Sequence, residues 1–145
     1  MTHELHEKIL EELNLKISYL QEIIDDLRTS NNETKSSMGD KYETSREMVQ
    51  QEIVRVQNQQ NETLTQRDFF QKINIKQHES IVLGSYIETS MGNFCIAISL
   101  GEINYQNKKV FVLSPQTPLG QNLLGKKMGD TFQINGKTFE VFKVE

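Results

Sequence analysis

Apolar side chains recur along this chain in two rhythms, and the change of rhythm divides it. From Leu10 they fall at Leu10, Leu13, Ile17, Leu20, Ile24 and Leu27, in alternating steps of three and four. That is the narrow seam of a coiled coil, not the broader stripe of a helix lying on a globular core. Upstream the seam reaches His6 and His3, so the helix starts near the first residues, and the polar run Asn31–Ser37 ends it. A second seam follows through Tyr42, Arg46, Val49, Ile53, Val56, Gln60, Thr63 and Phe70. It crosses Gln57–Asn61, which has no apolar side chain but also no Pro or Gly, so the helix continues through it. Two seams joined by a short polar segment predict an antiparallel helical hairpin. Matching them sets Ile24 near Val49, Leu20 near Ile53, Ile17 near Val56 and Leu10 near Thr63 or Leu64, with the turn at Ser36–Ser37. A helix of roughly 30 residues is about 45 Å long.

After Gln77 the period becomes two. Strands are expected at Ser80–Leu83, Tyr86–Thr89, Asn93–Ser99, Glu102–Tyr105, Lys108–Leu113, Thr131–Ile134 and Lys137–Val144. Asn135-Gly136, between two alternating runs, is a strong two-residue hairpin signal. One short helix is expected at Thr117–Leu124, with Thr117 as its cap, Pro118 in its first position and Gly125 at its end. The fold class is therefore α+β. A hairpin over residues 1–76, with its tip near Ser36–Glu43, precedes a small antiparallel-sheet domain over residues 77–145.

Charge and composition narrow the function classes. A net charge of -4 argues against a general nucleic-acid binder, which would show a basic face. No apolar run approaches the roughly 20 residues of a membrane span, and Met1–Glu7 has neither the basic start nor the apolar stretch of a signal peptide. The single cysteine, Cys95, forms no intramolecular disulfide and suits a reducing compartment. A cytoplasmic, monomeric protein with no membrane contact is the expectation.

Candidate chemistry concentrates at Gly39-Asp40-Lys41-Tyr42-Glu43, where two carboxylates stand three apart just past the expected turn. On a helix such side chains lie about 5–6 Å apart at Cβ, close enough to share one ion or its water shell. The same spacing also makes a capping box, with Asp40 as N-cap and Glu43 at the third helical position. Both readings stand together, because a capped helix start fixes the direction of its carboxylates. Lys35, Lys41 and Arg46 near the tip read as an ordinary solvated helix end before a contact surface. His3, His6 and Glu7 are read as a terminal helix face before a metal site, and Cys95 as a small core residue.

The second half carries a resemblance. Ser114-Pro115, a short helix with the paired leucines Leu123-Leu124, and then Gly125-Lys126-Lys127-Met128-Gly129-Asp130 resemble the signature of the GreA/GreB C-terminal domain. Val82-Leu83-Gly84-Ser85-Tyr86-Ile87 is similar to that domain's opening strand. The family pairs an FKBP-like domain with an N-terminal coiled coil, in the order read here. Its coiled-coil tip carries a Gly-Asp-x-x-Glu-Asn motif, which Asp40 and Glu43 match, with Thr44 in place of the Asn and Lys41 in place of a usually apolar residue.

The resemblance implies a transcription elongation factor. Its hairpin would enter the secondary channel of bacterial RNA polymerase and stimulate cleavage of backtracked RNA at the nascent 3′ end. Asp40 and Glu43 would act there as the catalytic acids, helping to hold a Mg2+ shared with the polymerase and to position water. Ser114 and Pro115 would dock on the polymerase, and Lys41 and Arg46 are possible RNA contacts. The chain would then be a cofactor of the polymerase site and not an enzyme. Two alternatives remain: a channel binder that inhibits or modulates transcription without cleavage, and a peptidyl-prolyl isomerase on the FKBP-like half. Fold alone is poor evidence for the last, and the absence of Trp removes the aromatic floor of such a site.

Overall fold

A computed structural model describes residues 1–37 and 43–145, and between 32 and 43 no side chain is described. Helix α1 spans His3–Ser37 and α2 spans Glu43–Gln71. The start of α1 is capped by Thr2, whose Oγ1 accepts from the Leu5 amide at 3.2 Å. The end of α2 tightens into i→i−3 bonds, Lys72 N to Phe69 O and Ile73 N to Phe70 O, both 3.1 Å. By its contacts the chain divides into two compact units, Glu12–Asp68 and Met1–Glu11 with Phe69–Glu145.

In the helical unit, Leu20, Ile24, Ile53 and Val56 form a buried cluster, with Ile23, Leu27 and Val49 against it. The Gln57–Asn61 stretch lies within α2. Its polarity is put to use: Gln60 Nε2 donates to the Ile17 carbonyl at 3.4 Å and to Gln21 Oε1 at 2.9 Å. The buried Thr63 hydroxyl is satisfied by its own helix, donating to Gln59 O at 2.8 Å. These contacts offset the pairing by about one helical turn from the register expected from the seams, which set Ile17 beside Val56. A seam repeating every three or four residues pairs almost equally well after such a slip, so apolar spacing alone does not select the register.

The other unit holds six strands: β1 (Tyr86–Thr89), β2 (Gly92–Ile96), β3 (Gly101–Tyr105), β4 (Lys108–Leu113), β5 (Thr131–Ile134) and β6 (Lys137–Val144). They form one sheet in the order β3-β4-β2-β1-β6-β5. Its pairings are antiparallel, as expected, except that β2 and β4 run parallel. The exception follows from the connection after β2: the chain reverses through Ala97–Leu100 one strand position away, and β4 returns into the gap. The two tight hairpins form where expected, with Gln106, Asn107, Asn135 and Gly136 all at positive φ.

Ser80–Leu83, expected as a strand, is not one. Ser80 makes a single bridge to Lys127. Val82 N then donates to Ser85 Oγ, and Ser85 N returns to Val82 O, both at 3.0 Å, closing a turn. The short helix α3, Pro118–Leu123, packs on one face of the sheet. Leu123 joins Ile81, Ile87, Phe94, Ile96, Leu113, Phe132 and Val141 in the core. Cys95, Val110 and Val112, which alternate with core residues along β2 and β4, are buried as well. In this same unit the His6 ring stacks on Phe70 with centroids 4.6 Å apart, and its Nε2 lies 3.3 Å from the Phe70 carbonyl.

Candidate functional site

The sequence places its candidate residues in both units. Asp40 and Lys41, and with them the capping-box reading, lie outside the described residues, as do the side chains of Lys35 and Glu43. Glu43 is the first residue of α2. Arg46 follows one turn later and is half-buried.

Ser114 and Pro115 are fully described, at the point where β4 hands over to α3. Ser114 is the hub of that corner. Its carbonyl accepts from the Thr117 amide at 3.2 Å and the Thr117 hydroxyl at 2.8 Å. Its Oγ accepts from the Gln116 amide at 3.2 Å and donates to the Gln116 side-chain oxygen. Thr117 Oγ1 also accepts from the Gly120 amide at 3.0 Å, capping α3, and Pro118 takes the first helical position. The corner is so tight that a Cβ on Gly120 would stand 2.4 Å from the Ser114 carbonyl oxygen. The far end of the signature is equally fixed. Gly125, at φ +83°, donates to Ile81 O at 2.8 Å, and the Asp130 carboxylate accepts from the Lys127 amide at 2.8 Å. Asp130 is thus an anchor for its own turn.

Beside this corner lies an open groove of about 490 Å³ between α3 and the sheet. Thr117, Pro118 and Leu119 form its helical wall, and Met91, Phe111 and Ile134 its sheet side. Met91 and Phe111 are 43% and 46% exposed, a high fraction for side chains of that size. Asn122 spans the groove's edge, its Nδ2 donating to Gln133 O at 2.7 Å. Among the described residues no ionisable side chain lines it, so they offer a contact surface there. Sequence reasoning named the corner and missed the groove. The signal was present in Val110-Phe111-Val112-Leu113: a strand apolar on both faces has two surfaces to cover, and here Val110 and Val112 are buried while Phe111 is not.

The remaining candidates resolve as ordinary structure. His3 pairs with Glu7 at 3.0 Å on an exposed face, whereas His6 turns inward onto Phe70, so the two histidines do not converge. Among the described residues there is no group of three or more metal-ligating side chains. Cys95 is fully buried, and burial pushes its thiol up to about 12, far from the thiolate a nucleophile needs. No described helix is long and apolar enough to cross a membrane.

Compared with known proteins, the chain matches no family model and no curated protein. It is similar to the crystal structure of GreA factor homolog 1 (Gfh1) of Thermus thermophilus, at 19% identity and a TM-score of 0.40, covering 94% of each chain. A second structure, of the transcription factor Gfh1, is 18% identical with a TM-score of 0.40, covering 99% of this chain and 95% of that one. Gfh1 of Thermus aquaticus is 20% identical with a TM-score of 0.37, covering 92% of both.

Proposed function

We propose that this chain is a divergent GreA/GreB-like transcription factor that works on RNA polymerase and has no catalytic site of its own. The observation that carries the reading is the Ser114–Asp130 segment. Its family-like residues each meet a local demand: Ser114 ties the corner, Thr117 and Pro118 start α3, and Gly125 and Asp130 close the exit. That unit sits in a chain whose first half is the antiparallel helix pair the family places before it. In this reading Ser114 and Pro115 dock on the polymerase, with the groove beside them as the apolar part of the contact. The hairpin enters the secondary channel and delivers Asp40 and Glu43 to the nascent RNA 3′ end. Lys41 and Arg46 face RNA phosphates, and the protein is cytoplasmic and monomeric.

The donor set fits Mg2+: two carboxylates three apart supply hard oxygen ligands, too few to hold the ion without phosphates, waters or the polymerase's own acids. When bound, such an ion supplies charge for the leaving oxygen and acidifies water. The chain's own part is positional. Asp40 would direct one carboxylate toward the ion, and Glu43 would orient the attacking water or accept its proton. The reverse assignment of the two acids stands beside this one.

The test is cleavage of a stalled, backtracked elongation complex by the parent and by Asp40→Asn/Glu43→Gln, with polymerase binding measured in parallel. Cleavage stimulated by the parent and lost by the variant, with binding kept, supports the reading. Equal cleavage by both refutes the role of the acids. A second reading, a channel binder that modulates transcription without cleavage, is favoured by the departures at Lys41 and Thr44. Binding by the parent with no stimulated cleavage selects it.

A further inference from the structure

We propose that the groove between the end of α2 and the Val82–Ser85 turn is a docking site for an acidic protein segment with an apolar centre. It is a separate groove from the one beside α3 and larger, about 600 Å³. Its apolar lining is Phe69, Ile73, Val82 and Leu83. Phe69 is 47% exposed, and Val82 and Leu83 39% each, so three large side chains meet water around one concavity. A patch of that kind marks a contact surface.

Charge indicates the occupant. Lys72 and Lys76 line the same groove; both are exposed, and neither forms an ion pair among the described residues. The acids nearest in sequence do not neutralise them. Asp68 lies 4.0 Å from Arg67, and Glu79 is not part of the lining. In a chain of net charge -4, two exposed lysines on one groove favour an oppositely charged partner there. His78 completes the wall, its buried Nε2 without a hydrogen-bond partner among the described residues. Burial, then the positive charges of the N-terminus and Lys76, lower its pKa. Three of the four apolar lining residues are aliphatic, which suits side chains of a peptide better than RNA, for which stacking surfaces are the usual device.

The groove is also fixed in shape before anything binds. Gly84, at φ +94°, brings the turn so close that a Cβ there would stand 2.9 Å from Ile73 Cγ2, and its amide donates to Ile96 O at 2.7 Å. The turn is thereby bound to the sheet and pressed against the segment after α2. A preformed site spares the ordering cost that weakens binding by mobile loops.

The inference uses none of the residues of the proposed polymerase function and stands or falls separately. The experiment selects short random peptides on phage against the full chain and then measures the enriched peptides by calorimetry. The expected peptides carry Asp or Glu around at least one large apolar residue. Their affinity falls about tenfold or more in Lys72→Glu/Lys76→Glu, falls similarly in Val82→Asp, and weakens with added salt. Circular dichroism verifies that each variant is folded. If Val82→Asp is not, amide shifts of the parent on peptide addition must centre on Phe69–Leu83. The proposal is overturned if no peptide is enriched, if the enriched peptides are basic or neutral, or if their binding ignores the lysine variant. It is also overturned if an oligouridylate binds the parent, is lost in the lysine variant and is kept in Val82→Asp, which would make the groove an RNA contact.

Discussion

Among the described residues, the cluster around Leu20 and Ile24 in the helical unit has four buried side chains with three more against them, whereas the cluster around Ile87 in the sheet unit has eight with five against them. The difference is one of geometry as much as number. Each seam residue touches neighbours a turn away on two helices, so a lost contact is felt locally. The core of the sheet unit draws its side chains from β1, β2, β4, β5, β6 and α3, which ties distant parts of the sequence to one another. Polar groups differ in the same sense. Gln60 crosses between helices to a side chain and a carbonyl, while the Ser114–Thr117–Gly120 corner is closed by hydroxyls bonded to backbone groups three residues away. Among the described residues, the sheet unit thus joins more elements in one core than the helix pair does.

The largest test of that contrast is Leu123→Ala. Removing a fully buried side chain where α3 meets the sheet is expected to cost about 4 kcal/mol. Hydrogen exchange should show lost protection across β1, β2, β5 and β6 while the Glu12–Asp68 helices keep theirs. Ile24→Ala comes next, at about 3 kcal/mol, with the loss confined to the helical unit. If both variants lower protection uniformly along the chain, the two units unfold as one and the contrast collapses.

A smaller effect is expected at the corner. Thr117→Ala removes the cap of α3 together with a bond to Ser114 O and should lower stability by about 1 kcal/mol. A larger loss, in denaturant melts with unchanged slope, would mean the corner supports more than one short helix. The smallest effect is one of pH. Burial raises the Glu88 carboxyl, but hydrogen bonds from the Tyr86 hydroxyl at 3.0 Å and from Lys108 at 3.3 Å outweigh it, and the net pKa is lowered from 4.5. A lowered folded-state pKa stabilises above the ordinary value, and that contribution is lost as pH falls through the folded one. Tyr86→Phe should therefore cost a few tenths to about 1 kcal/mol at neutral pH, with the difference shrinking in acid. A difference that persists undiminished at low pH would assign the cost to packing.

Much of the architecture was legible because it rests on period. Leu13, Leu20 and Ile24 announced the seam, and Gln106-Asn107 and Asn135-Gly136 announced their hairpins through the positive φ those turns demand. What escaped depends on relations that no local pattern encodes. The helix register slipped by about a turn. Toward its start the buried face of α1 runs through Leu5 and Ile9, leaving His3 exposed, because a stripe kept at 3.6 residues per turn drifts from a seven-residue repeat. Val82-Leu83 reads as strand by composition, yet Ser85 and Gly84 bend it into a turn, and those exposed apolar residues became part of a groove. Of the candidate site, the sequence located the Ser114 corner but not its neighbouring groove, whose walls come from four separate stretches of chain.

Cys95 carries a practical consequence. The only thiol among the 145 residues is sealed in the core and stays protonated. A cysteine introduced elsewhere, at the exposed Met48 for instance, would react alone with a maleimide, with no need to alter the parent residue first. Spin labels or dyes can thus be attached one at a time to a native background, which makes this chain ready for distance measurements inside a working complex.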